Sequence, residues 1–325
     1  MALSDLAVFN EQLRNYMGEI LAQQIEVFNG ACENVVRLAP NPFQGDYKEE
    51  SFFDLVTDIV KDRNPGGSGA IAEQDQSQTV DRTVKLALGT YPMRMDKGKF
   101  NWTKQNPELA AATYAQQLSV DMMKFMLERC LTSVNAALDN DVALVETDVT
   151  AVAAPDDKLT PLNQNNAQSK FGDGFSRIRA WFTHSKPVFD YFGHQLTNAE
   201  RLFVWDRIVV LRDFMGRPIV ATDAAALVNA GPTYNVLGLV QGACQGGTIQ
   251  NWDTVSERKT GDENLITVVQ SEGEWSMSIK GYAYNTVGGR APNLATLGTS
   301  TNWTKVVDTA TNGAKNLPGV RLLVN

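Results

Sequence analysis

The chain has 325 residues, 43% hydrophobic and 20% charged, an ordinary globular mixture long enough to bury a sizeable core. Its net charge of −8 excludes a protein that wraps nucleic acid electrostatically, because such binding needs clustered Lys and Arg to displace phosphate counterions. Cys32, Cys130 and Cys244 stand far apart with no CxxC pair, so reduced thiols are expected, with neither a zinc knuckle nor a disulfide framework. The first twenty residues carry charges and no cleavage site, unlike a signal peptide. No stretch reaches the ~18 apolar residues that a membrane span needs.

In chain order, residues 4–29 read as an amphipathic helix, with Ser4 at the N-cap and Leu6, Phe9, Leu13, Met17, Ile20 and Phe28 at helical spacing. After Pro40 and Pro42, a short helix is expected from Glu49 to Lys61. Residues 64–78 are rich in Gly, Ser and Gln and read as a loop. Residues 79–104 read as a long two-stranded hairpin. Val84, Leu86 and Leu88 alternate with polar or small neighbours, as do Met93 and Met95, and the turn is placed at Gly89–Pro92.

Asn106 as cap, Pro107 at the first helical position and Glu108 in the first turn then open a helix. No Gly or Pro interrupts it before Asp139, so it can run about 50 Å. Met123, Leu127, Cys130, Val134 and Ala137 form its apolar stripe. Strands are expected at 177–183, 208–211 and 218–221, and helices at 187–196 and 223–229. Residues 265–284 are β-patterned with a turn at 272–274, and Val320–Val324 is a last apolar strand.

This order (helical arm, extended hairpin, long helix, α/β unit, β tail) resembles the Hong Kong 97 fold of tailed-phage major capsid proteins. Two segments are similar in sequence to phage coat proteins: Ala180-Trp181-Phe182-Thr183-His184-Ser185-Lys186 followed by Phe189-Asp190-Tyr191-Phe192, and Phe214-Met215-Gly216-Arg217-Pro218 running to Asp223. The ending from Asn302-Trp303 through Lys315 to Val320 is similar to one coat-protein branch.

The resemblance implies an α+β capsid subunit with residues 1–45 as N-terminal arm, and 46–104 as short helix, loop and E-loop hairpin. A peripheral domain would comprise 105–165 and 265–325 with the spine helix 107–139, and an axial domain 166–264. It implies self-assembly into hexamers and pentamers of an icosahedral shell around double-stranded DNA, held without sequence preference, in a virion put together in the host cytoplasm. Portal, scaffolding and decoration proteins are the further partners. The alternatives are an encapsulin-type nanocompartment shell, or another virion part such as a tail tube or decoration protein. Inter-subunit contact is expected at Phe9 and Leu13 on the arm and at Lys85, Tyr91, Arg94 and Lys97 on the hairpin. Removing residues 1–29 should then leave a soluble fold that fails to form shells.

No catalytic, cofactor or metal site is expected. His184, Ser185 and Asp190 evoke a nucleophilic triad, but neighbours on one strand point to opposite faces, and no Gly-x-Ser-x-Gly elbow is present. Gly67-Ser68-Gly69 follows a helix and a proline rather than a strand, so it fails as a dinucleotide loop. Asp139 and Asp141 read as a solvated helix end.

Overall fold

The computed structural model describes residues 3–53, 60, 62–71, 73, 78–96, 107–192, 201–205, 208–212, 216–229, 231–261, 263, 266–307 and 313–325. Two helices dominate. α1 (Leu3–Ala31) begins one residue before Ser4, which therefore lies within the first turn, and α2 (Pro107–Leu138) matches the long uninterrupted helix closely. The whole expected stripe of α2, from Met123 to Ala137, is buried, and α1 packs on α2 with Leu13, Met17, Leu21 and Phe28 buried. The amphipathic arm thus covers its apolar face with its own chain.

The first sheet has eight strands. Its spine is a hairpin of β11 (Cys244–Lys259) and β12 (Ile266–Ile279), extended by β1 (Val36–Leu38) on one side and by β13 (Tyr282–Tyr284) and β14 (Trp303–Lys305) on the other. β2 (Tyr47–Phe53), β3 (Gln78–Gly89) and β4 (Met93–Asp96) complete it. The expected helix at 49–61 is strand as far as Phe53; residues 54–59 and 61 lie outside the described residues.

The expected hairpin between the arms 79–89 and 93–104 is not formed. β3 and β4 both pair with β12, end to end, Gly89 opposite Glu272 and Met93 opposite Val269. Thr90, Tyr91 and Pro92 face two residues of β12, a bulge in which Thr90 and Ser271 exchange hydrogen bonds: the Thr90 amide donates at 2.8 Å, and the Ser271 amide donates to Thr90 Oγ1 at 2.9 Å. The bulge absorbs the proline without reversing the chain. The reversal lies instead between β2 and β3, which pair antiparallel from Tyr47–Val84 to Phe53–Gln78. The turn expected at 272–274 is likewise absent, because β12 runs straight through those residues and turns only at Lys280–Gly281.

The second sheet has seven strands in the order β5 (Glu146–Asp148), β15 (Gly319–Val324), β10 (Tyr234–Val240), β6 (Ile178–Thr183), β9 (Pro218–Thr222), β8 (Ile208–Arg212) and β7 (Arg201–Trp205). Its central strands are buried almost continuously, as strands covered on both faces must be. Gly238 on β10 is required there. A Cβ would meet the Trp181 ring of β6 at 2.7 Å. The division expected at 264/265 does not coincide with the sheets: β11 and β12 share one sheet, and β15 joins the strands of 178–240. Hydrogen-bond partners, not sequence neighbours, set that grouping.

Candidate subunit-contact surface and the joint behind it

Among the described residues, the outer part of the β2–β3 hairpin gathers several apolar side chains that face solvent. Tyr47 and Val84 root it in the sheet, Val84 also facing Met277 of β12. The Tyr47 hydroxyl donates to the Gly289 carbonyl at 2.8 Å, and its ring stacks on Tyr284. Arg82 donates to Glu49 across the pair and to the Tyr284 carbonyl. Farther out the pair is exposed. Phe52 and Phe53 are 39% and 60% exposed, and as successive strand residues they occupy opposite faces, with Val80 diagonal to Phe53. A two-stranded ribbon with apolar groups on both faces is marginal alone in water and gains from a packing surface.

The same ribbon carries a strained charge pair. Asp81 stands directly opposite Glu50, and burial, with Glu50 beside it, raises the Asp81 carboxyl above its ordinary range.

Of the six expected contact residues, Lys85, Tyr91 and Arg94 fall on the β3–β4 line along β12. Lys85 is half-buried and paired with Glu274 at 2.7 Å, whereas Tyr91, presented by the bulge, is 92% exposed and Arg94 is exposed. Leu13 does not belong with them: it is fully buried within the chain, against the expectation for the arm. The side chain of Phe9, and Lys97 altogether, lie outside the described residues. Sequence reading missed Phe52 and Phe53, because Tyr47–Phe53 has no clean alternation and both fall within the helix expected at 49–61.

Behind this surface, the turn after α2 joins the two sheets. Asp139 and Glu146 both accept from Arg321 of β15, whose side chain is 8% exposed and also donates to Asn135 at 2.8 Å. Asp141 instead accepts from Tyr282 of β13 at 2.7 Å and from Lys305 of β14 at 2.8 Å. Burial and the Asp141 carboxylate push the Tyr282 phenol far above its usual range. The Asn140 amide donates to the Ser300 and Trp303 carbonyls. So Asp139 binds one sheet and Asp141 the other. Asp141 is therefore buried in the joint, whereas Asp139 keeps the exposure expected of a helix end.

His184 sits at a corner rather than on a strand, since β6 ends at Thr183 and α3 (Ser185–Phe192) begins at once. Ser185 Oγ therefore comes within 3.4 Å of Nδ1, and Asp223 Oδ1 lies 3.4 Å from Nε2. Parallel pairing of β6 with β9 brings the two resembling segments together at this point. The Lys186 amide donates to Nδ1 at 3.3 Å, so the ring caps α3 and its free lone pair is engaged. Among the described residues no group of three or more His, Cys, Asp or Glu side chains is placed to hold a metal, and no helix is long and apolar enough to cross a membrane.

A family profile described as Gp13-like, major capsid protein 13-like, matches residues 5–321. Two solved structures share the fold at 10% identity. The capsid asymmetric unit of cyanophage Pam1 has a TM-score of 0.53 over 86% of this chain and 85% of that one. A chain from Mycobacterium phage Bobi has a TM-score of 0.51 over 89% and 88%. No curated protein sequence matches.

Proposed function

The chain belongs to the Gp13-like major capsid protein family, a structural subunit of a phage capsid, and on that premise we propose how it builds a shell. It assembles as hexamers and pentamers of an icosahedral particle in the host cytoplasm and encloses double-stranded DNA as a virion component, without a catalytic role. The seven-stranded sheet serves as the axial domain. α2 with the eight-stranded sheet serves as the peripheral domain, and β2–β3 serves as the E-loop that reaches a neighbour. Portal, scaffolding and decoration proteins complete the particle.

The observation that carries this reading is the β2–β3 ribbon, rooted at Tyr47 and Val84 and bearing an exposed apolar side chain on each outer face. Tyr91 and Arg94, exposed on the line that prolongs it, belong to the same contact.

The test is negative-stain electron microscopy and a sizing column, for wild type and for Phe52→Asp with Phe53→Asp. Both positions are exposed, so the double variant should fold, with an unchanged circular dichroism spectrum, and remain as isolated subunits or capsomers where wild type, alone or with its scaffold, closes shells. Normal shells from the double variant would remove the hairpin from the contact.

A further inference from the structure

α2 carries a cation that the subunit leaves without a counterion. Phe125 and Arg129 stand four residues apart on the same face of the helix, and both are half-buried. The Arg129 guanidinium lies over the Phe125 ring, 3.0 Å from its centre. Stacking of this kind fixes the planar fork and leaves its N–H edges free to donate. Among the described residues no carboxylate or carbonyl accepts from them. Burial draws the guanidinium down to about 10, and the neighbouring Glu128 opposes that only in part. A charged side chain withdrawn from water is normally paired.

We propose that Arg129, held over Phe125, receives a carboxylate from a second copy of this chain as a repeated contact of the shell. The proposal rests on the shell reading given above. The guanidinium fork matches both oxygens of a carboxylate, and such a pair satisfies donors that the lone subunit leaves open. Because the ring already fixes the fork, little side-chain freedom is lost when the carboxylate arrives.

Phosphate oxygens fit the fork equally, but the surroundings disfavour a polyanion. Asp121, Lys124, Glu128 and Arg129, the charged residues of this stretch of α2, carry two charges of each sign. A duplex, with one charge per ~1.7 Å of axis, gains no net attraction there, whereas a single carboxylate needs only Arg129. A second copy is a ready source, since each carries 37 acidic against 29 basic residues.

The experiment treats isolated subunits, empty shells and DNA-filled shells of the full chain with phenylglyoxal and maps modified arginines by mass. Arg129 should react in isolated subunits and about tenfold more slowly in both kinds of shell. Arg129→Met, which keeps a hydrocarbon stem over Phe125, should retain the wild-type circular dichroism spectrum but give shells that open at lower denaturant. Arg129→Lys, assembled from mixed heavy- and light-isotope subunits and treated with a carbodiimide, should give an amide between position 129 and an acidic residue of the other isotope. Equal reactivity in subunits and shells, protection in DNA-filled shells only, wild-type stability of the Arg129→Met shells, or cross-links confined to one chain would each overturn the proposal and leave the shell reading intact. Wild type that never closes shells, alone or with its scaffold, would overturn both.

Discussion

A single residue shows how this chain trades stability between pH ranges. Asp81 faces Glu50 across the hairpin and is partly buried, so its carboxyl holds a proton more tightly folded than unfolded. Such a group favours the folded state below the unfolded carboxylate range, and that contribution is lost as pH rises through the raised value. Asp81→Asn should therefore raise Tm at pH 7, and the gain should fade below about pH 4. Thermal unfolding at both pH values checks this, and an equal gain at both would mean that charge is not the cause. Arg321 is the opposite case, a charge whose burial is matched by Asp139 and Glu146. Arg321→Met leaves two carboxylates facing a hydrocarbon and should cost about 3–5 kcal/mol in denaturant unfolding. In an Asp139→Asn, Glu146→Gln background the same change should cost far less; an undiminished cost would refute the pairing as its source. Neither role was legible locally, since Arg321 interrupts an apolar run and its partners lie some 175 residues or more away.

At the scale of elements, α1 shows how a correct helix can carry a mistaken purpose. Its periodicity is plain in the sequence, but periodicity does not say which surface covers the stripe. Leu13, Met17, Leu21 and Phe28 are buried, with α1 packed on α2, and burying each such side chain is worth roughly 1.5–3 kcal/mol. Their sum is comparable with the whole stability of a domain, about 5–15 kcal/mol. Removal of residues 1–29 should therefore give an insoluble or unfolded subunit, not a soluble one that merely fails to assemble. A soluble product with native circular dichroism would show that the arm is dispensable to the fold. The extended arm carries a related lesson. Gly89 to Pro92 has the composition of a turn, and only the register with β12 reveals that Thr90 makes it a bulge.

For the whole molecule the governing quantity is charge. With 29 basic against 37 acidic residues, the subunit repels a polyanion on average, so in the proposed shell the wall would contain DNA without gripping it. Isolated subunits should show no DNA binding that survives about 0.15 M salt, measured by filter retention or anisotropy. A tight, salt-resistant complex would refute the containing role.

The sequence by itself determined what depends on near neighbours: the 107–139 helix with its buried stripe, the strands at 177–183, 208–211, 218–221 and 320–324, each found within a residue of those bounds, and the acidic balance. These rest on capping, propensity and periodicity, which act over one or two turns of chain. Tertiary structure alone decided which strand pairs with which: β3 and β4 with β12, β15 with β10, and β2 with β3. It also decided that Asp139 and Asp141 face different sheets. The reason is physical. Strand partners and buried polar pairs are selected by closing long loops around a shared core, and no local pattern encodes which distant segment arrives.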